Sequence, residues 1–341
     1  MVFGSLMSAM WILIANSFMQ HPVGYEIING RAQMTDFFAL ITNPQFFYEY
    51  GHVITGAITM GGILVAGMSA FKLLNKESLK ESTVNLYKKS VRIGLLVSLI
   101  GSISVMGAGD LQMKALLHDQ PMKFAAMEGD YEDSGDPAAW TVVAWANEAE
   151  KQQVFGIKVP YMLSILSYGK PSGSVLGMNT ANKELVAKYG KRNYFPMVNL
   201  LFYSFRIMAG FGMLMFGVSA LGLFLSRPKK PILFNQKWLL RILALTTFAP
   251  FIANTLGWII TEQGRYPWTV YGLFTIKDSV SPNVSVPSLL ISNGVYFVLF
   301  SGLGLMMTLV IRELHKGPEY EEAKLQLASQ ASMDPFDKGA F

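Results

Sequence analysis

The chain has 341 residues, room for about two ordinary soluble domains at roughly 150 residues each, but 51% of them are hydrophobic and only 15% charged, against about 25% charged in a soluble domain. There is no cysteine, which excludes disulfides, iron–sulfur clusters, cysteine zinc sites and thiolate nucleophiles. The net charge of +5 does not point to nucleic acid, because the basic residues flank apolar segments, where topology accounts for them.

The mean hydropathy is +0.33, and the apolar residues fall in continuous blocks rather than the alternation of a β-barrel. Six blocks are long enough to cross about 30 Å of hydrocarbon as helices: residues 2–19, 46–74, 88–107, 197–226, 238–261 and 287–312. None carries a cleavable signal pattern. The expected fold is an all-α, polytopic bundle of six transmembrane helices, with one long loop domain between spans three and four. Residues 1–107 then hold the first three spans, 108–196 the loop domain, 197–315 the last three spans and 316–341 a polar tail.

The links between spans set the orientation. Lys76, Lys80, Lys88, Lys89 and Arg92 surround one link, and Arg227, Lys229, Lys230, Lys237 and Arg241 the other. The positive-inside rule puts both in the cytoplasm, so the loop domain faces outward. That loop has nine Lys/Arg against ten Asp/Glu. Its stretch 111–128 reads as helical, Val159 to Ser167 as an apolar segment, and the acidic run Asp130 to Asp136 as surface.

Taken along the chain, the candidate residues each admit two readings. His52 lies at the outer end of the second span, and an ionisable group in a span is a functional hypothesis by default. Its helix face continues through Thr55, Gly56 and Thr59, small residues that admit either a flat macrocycle or another helix. Lys123 and Glu128 place a cation and an anion near a membrane face, where they would bind a quinone-type oxygen or simply be solvated. Arg206, opening the fourth span, needs a counter-charge: a haem propionate, a carboxylate, or a route to the interface. Met208 is a soft thioether that could pair with His52 on one iron, or one of 20 methionines used for packing. Glu262 and Arg265, three apart at the end of the fifth span, are an interfacial ion pair beside Trp258 and Trp268 or part of a site.

These stretches together resemble subunit I of cytochrome bd, a prokaryotic quinol oxidase. The likeness is carried by Trp11 to Asn16 followed by Met19-Gln20-x-Pro22, by the His52 segment, by Lys123-x-Ala125-Ala126-x-Glu128 and by Phe205-Arg206-Ile207-Met208. Trp238 to Arg241 and, above all, Gly257-Trp258 with Gly264-Arg265-x-Pro267-Trp268 complete it. The order is the family's, and the likeness reaches to about residue 315.

The resemblance implies that His52 and Met208 are axial ligands of a low-spin haem b, with Arg206 beside it. It implies that Glu262 ligates one of two high-spin haems (haem b and haem d, or a second haem b), with Trp258 and Arg265 nearby. Lys123 and Glu128 would serve quinol oxidation, and Asn16 a proton route toward the oxygen site. The implied activity is oxidation of membrane quinol and reduction of O2 to water in a prokaryotic cytoplasmic membrane, contributing to the proton motive force. The implied partners are a homologous subunit II, small single-span subunits, membrane lipid and quinone.

Two departures stand out. Ser17-Phe18 precede Met19 where the family usually has Gly-Trp, and Thr255 stands where glutamate is frequent. The family also has three spans ahead of this start, with a haem-ligating histidine, so the expectation is either that a separate chain supplies those helices or that the sequence is a partial one. A diverged scaffold paralogue without turnover is the alternative. A transporter lacks support, since the spans carry no Gly/Pro-broken pair at a midplane site.

Overall fold

The computed structural model describes residues 2–318, 320 and 322–325; most of the tail expected over 316–341 lies outside them. Two compact units divide the chain, one of residues 1–76 and 87–279 and one of residues 77–86 and 280–341.

In the first unit, α1 (Val2–Gln20) is the first span. The hairpin β1 (Tyr25–Ile28) and β2 (Arg31–Met34) follows. Its turn, Asn29-Gly30, has φ of 52° and 73°, the left-handed pair that an Asn-Gly hairpin turn requires. Short α2 (Phe37–Ile41) is capped by Asp36, which accepts from the Ala39 N–H at 3.1 Å. Asn43 caps α3 (Pro44–Leu73), with Pro44 in the first turn where its missing N–H costs nothing. Together α2 and α3 make the second span.

The third span is α4 (Glu81–Asp119), whose residues to 86 belong to the second unit. Expected to end near 107, it continues for three further turns. Ala, Leu, Gln and Met favour a helix there, and Lys114 pairs with Asp110 one turn back at 2.6 Å. It stops at Gln120, whose backbone is driven out of the helical region (φ −139°, ψ 65°) because Pro121 follows. The helix then restarts as α5 (Pro121–Glu128).

The remainder of the loop domain is the hairpin β3 (Trp140–Asn147) and β4 (Gln152–Val159), then α6 (Met162–Tyr168) and α7 (Met178–Tyr189). Met122, Phe124, Ala125, Met127, Tyr131, Leu163, Met178 and Tyr194 form its core, continuous with Leu201 and Trp268. The acidic run is not mere surface. Asp133 accepts from the Gly177 N–H and Thr180 hydroxyl, Asp136 from the Gly173 N–H, and buried Asp130 from Lys158 at 3.3 Å. These carboxylates hold the loop in place of a regular sheet.

The fourth span is α8 (Val198–Leu225). After α9 (Ile232–Asn235), the fifth span is two helices, α10 (Lys237–Thr246) and α11 (Ala249–Gln263), where one continuous helix was expected. Pro250 explains the break, since it lacks an N–H and crowds the carbonyl one turn back. The hairpin β5 (Trp268–Val270) and β6 (Phe274–Thr275) closes this unit.

Small residues let the spans touch. A β-carbon on Gly94 would stand 2.6 Å from the Gly62 carbonyl oxygen, and one on Gly101 2.7 Å from the Thr59 nitrogen. The backbones of α3 and α4 are therefore in direct contact. Ser219 of α8 donates to Ser98 of α4 at 2.9 Å, fully buried.

In the second unit, α12 (Val286–Lys316) is the sixth span. Ser285 caps it, accepting from the Ser288 N–H at 3.4 Å.

Candidate functional site

The small face of α3 resolves into two uses. Thr59 packs on Gly101, and a β-carbon on Gly56 would lie 3.8 Å from a Val105 methyl, so both serve helix packing against α4. His52, one turn further out, meets α4 with its ring instead of a small side chain. A β-carbon on Gly109 of α4 would stand 3.3 Å from its Cε1, and its Nδ1 is buried without a hydrogen-bond partner. A buried imidazole nitrogen without a partner could take a ligand, since such groups are otherwise satisfied; the ring also meets the Val105 backbone.

Met208 is placed in a similar way. It is partly buried on α8 against the loop-domain core, and a β-carbon on Gly257 of α11 would stand 3.2 Å from its sulfur. Each of the two candidate iron ligands thus faces a glycine on a neighbouring helix. Side chains there would crowd the ligand atoms.

Arg206, two residues before Met208, is fully engaged by protein groups. It donates to Glu128 at 2.7 Å, to the Thr141 carbonyl at 2.6 and 3.1 Å, and to the Met127 carbonyl at 3.3 Å. Its guanidinium lies over Phe202, Trp140 and Phe205 at 4.5, 4.8 and 5.2 Å. One of the counter-charges open to Arg206 in the sequence, a carboxylate, is supplied by Glu128. Burial raises the Glu128 carboxyl above its usual range, and the Arg206 charge opposes that rise.

Lys123 and Glu128 do not stand together. Five residues on a helix advance about 500°, leaving the two side chains roughly 140° apart. Glu128 turns to Arg206. Lys123 turns to α1 and α11, 3.5 Å from Gln20 Oε1 and packed beneath Gly264. Both are buried rather than solvated, at 5% and 2% exposure. Burial pushes the Lys123 ammonium down to about 8; the negative charges of Glu49 and Glu262 pull it upward, and Arg265 pushes it further down.

Around Lys123 lies a polar network drawn from four elements. Gln120 donates to the Gln20 carbonyl at 2.8 Å and to Gln20 Oε1 at 3.1 Å, and Gln20 donates to the Thr261 carbonyl at 3.2 Å. Arg265 donates to Glu262 at 2.8 Å, and Asn16 to the other Glu262 oxygen at 3.5 Å. Glu49 accepts from Gln45 at 2.9 Å. Among the described residues, four buried atoms of this network are without partners: Asn16 Oδ1, Glu49 Oε2, Gln120 Oε1 and Arg265 Nη1. Such atoms call for water or a polar ligand.

The Glu262 side chain is half exposed. With Thr255 and Trp258 it forms one exposed face of α11, since positions three, four and seven apart share a face. The half-exposed carboxylate, held by Arg265 and Asn16 from one side, could serve as a ligand to a group lying on that face.

Sequence reasoning singled out His52 in its span but passed over Glu49, three residues earlier. The same signal, an ionisable group inside a span, marks it, and Gln45 one turn before supplies its hydrogen bond. Gln20 and Gln120 carry no such signal, because glutamines beside an interface read as ordinary loop residues.

A family profile described as cytochrome bd terminal oxidase subunit I matches residues 1–318. The chain is 48% identical over 340 residues to cytochrome bd ubiquinol oxidase subunit 1 of Bacillus subtilis (strain 168), covering 99% of this chain and 70% of that protein. It is 27% identical over 391 residues to cytochrome bd-II ubiquinol oxidase subunit 1 of Escherichia coli (strain K12), covering 98% and 73%. Among solved structures, the bd oxidase from Geobacillus thermodenitrificans superposes with a TM-score of 0.78 over 93% of this chain and 68% of that one. At 24% identity that likeness concerns the fold.

Proposed function

The chain belongs to the cytochrome bd terminal oxidase subunit I family, and from that premise we propose that it is the haem-bearing part of a quinol oxidase that reduces O2 to water. Membership makes it a multi-pass membrane oxidoreductase subunit that works with partner subunits and haem. The finer assignment of residues rests on the geometry above.

Haem, when bound, supplies the one-electron and oxygen chemistry. His52 and Met208 would hold a low-spin haem b, and Glu262 a high-spin haem, whether haem b or haem d, on the open face that it shares with Trp258. The residues present fit these roles. The unpartnered Nδ1 of His52, the glycines facing His52 and Met208, and the exposed Glu262 carboxylate are the features that support it.

The protein's own work is positioning and proton handling. Protonated Lys123 would bind and orient a quinol oxygen. Glu49 Oε2, a buried acceptor without a partner in the same network, would take the proton leaving that oxygen. Glu128 holds Arg206 in place beside the Met208 turn, so its part in quinol oxidation is through the loop's geometry. Asn16, bonded to Glu262, would extend the proton route. With the basic links in the cytoplasm, the loop domain would face outward and release those protons there, adding to the proton motive force.

The partners in this reading are subunit II and small single-span subunits. The observation that carries the reading is His52, an ionisable group within its span, with its Nδ1 buried and its ring set against Gly109. Its test is a reduced-minus-oxidised visible spectrum of the complex purified from membranes. Low-spin b-type bands are expected, and a preparation with intact subunits but no haem bands overturns the reading.

A further inference from the structure

At the end of the first unit that bears the basic links, the start of α4 and the end of α8 leave a cavity of about 260 Å³. Its walls are aliphatic, with Ile93 and Leu96 on one side and Leu223 on the other. Ile93 is 62% and Leu96 50% exposed, so the cavity opens at the surface of this unit, on apolar faces of two membrane-spanning helices. Two arginines, Arg92 and Arg227, stand on its rim.

Both cations are held in place. Arg92 donates through Nε to the Ser226 carbonyl at 2.9 Å, which ties it to the end of α8. Its guanidinium lies 5.4 Å from the Phe234 ring, with the Lys88 ammonium 6.0 Å from the same ring. Arg227 lies 3.9 Å from the ring of Phe224. Among the described residues, neither arginine has a carboxylate within 4.0 Å, and Lys88 has none either. The walls are rigid, since buried Ser98 and Ser219 bond α4 to α8 and Leu95 packs on Gly222.

Two guanidinium groups with no carboxylate within 4.0 Å among the described residues, set over an aliphatic cleft, present both halves of one ligand's chemistry. We propose that this cavity binds an anionic phospholipid, its phosphate between Arg92 and Arg227 and its acyl chains along Ile93, Leu96 and Leu223. A soluble anion would not use the aliphatic walls, and a neutral lipid would leave the two charges unmatched. Basic pockets between spans are the usual form of such a site, and each nearby cation adds to the attraction. This inference is independent of the haem assignment.

The test uses the complex purified from membranes in mild detergent. Native mass spectrometry during titration with phosphatidylglycerol or phosphatidylcholine is expected to show tight retention of one phosphatidylglycerol, with a preference of about tenfold or more. The paired substitution of Arg92→Gln and Arg227→Gln should abolish that preference while the visible spectrum stays unchanged. A second measurement keeps the unsubstituted arginines. The chain has no cysteine, so Ile93→Cys adds a single reactive site, and phosphatidylglycerol should slow its maleimide labelling where phosphatidylcholine does not. Equal retention of the two lipids overturns the proposal. So does protection of Cys at position 93 whatever lipid is present, which would mean that another subunit covers the cleft.

Discussion

Glu128 and Arg206, 78 positions apart in the chain, meet at 2.7 Å with both side chains almost wholly out of solvent. The pair joins the last turn of α5 to the turn of α8 that carries Met208. It is one of the contacts that tie the loop domain to the membrane helices, beside those of Arg206 to Thr141 and Tyr203 to Ala144. Removing one partner of such a pair strands the other charge, at a cost of about 3–5 kcal/mol.

Glu128→Ala is accordingly expected to lower thermal stability markedly, and Glu128→Gln, which keeps a hydrogen-bond acceptor for Arg206, to do so less. Unfolding followed by tryptophan fluorescence measures this. Equal melting temperatures for the wild type and Glu128→Ala would show that the pair is not structural.

For the proposed low-spin site, His52→Ala should remove the low-spin haem signal. Met208→Leu should change the spin state with the fold intact. The check is the visible spectrum of each purified variant, and unchanged low-spin bands in both would refute the assignment.

The glycine opposite His52 gives a sharper test. Gly109→Val would drive methyl groups into the imidazole, whereas Gly107, two residues earlier, has nothing within 4 Å of its β-carbon position. Both substitutions place a β-branched residue in the same helix. Only Gly109→Val should weaken the low-spin haem signal.

Lys123 sets a pH dependence. The fold lowers it from 10.5 to about 8, so between those values the unfolded chain holds more protons than the folded one. Stability therefore rises with pH across that window. Lys123→Met should lose this rise, which thermal melts at pH 8 and pH 10.5 would record. If charged Lys123 orients the quinol, turnover should fall as pH passes about 8, and Lys123→Arg should remove that alkaline decline.

The proton-acceptor role of Glu49 predicts that Glu49→Gln, which keeps the shape and the Gln45 contact, lowers quinol turnover severalfold or more with haem content intact. Oxidation of an artificial donor that releases no proton should be spared. If both activities fell equally, Glu49 would act on the fold instead.

The six spans were readable because continuous apolar runs are the strongest signal a membrane chain carries. What the runs did not convey was decided by single prolines and by tertiary pairing. Pro121 set the end of α4, and Pro250 split the fifth span, in a sequence where hydropathy simply continued. The hairpin at Asn29-Gly30 had its turn signal in plain view, but its strands are too short to stand out beside the spans. The separation of Lys123 from Glu128 follows from their spacing on α5. Their partners Gln20 and Arg206 come from distant spans, and no local pattern announces a contact across 103 or 78 positions.

The length of α4 carries an evolutionary consequence. One unbroken helix bears Gly62's contact Ser98, the His52 neighbour Gly109 and, just past its end, Gln120 in the Lys123 network. A single inserted or deleted residue between Gly109 and Gln120 would turn everything beyond it by about 100° and shift it by about 1.5 Å. The link between β3 and β4, where residues 148–151 are exposed, absorbs such changes at the cost of few contacts, chiefly that of Glu148 with the Asn199 N–H. Related chains should thus vary in length at the hairpin tip while the spacing from Gly109 to Gln120 stays fixed, a molecular ruler inside an otherwise extendable loop.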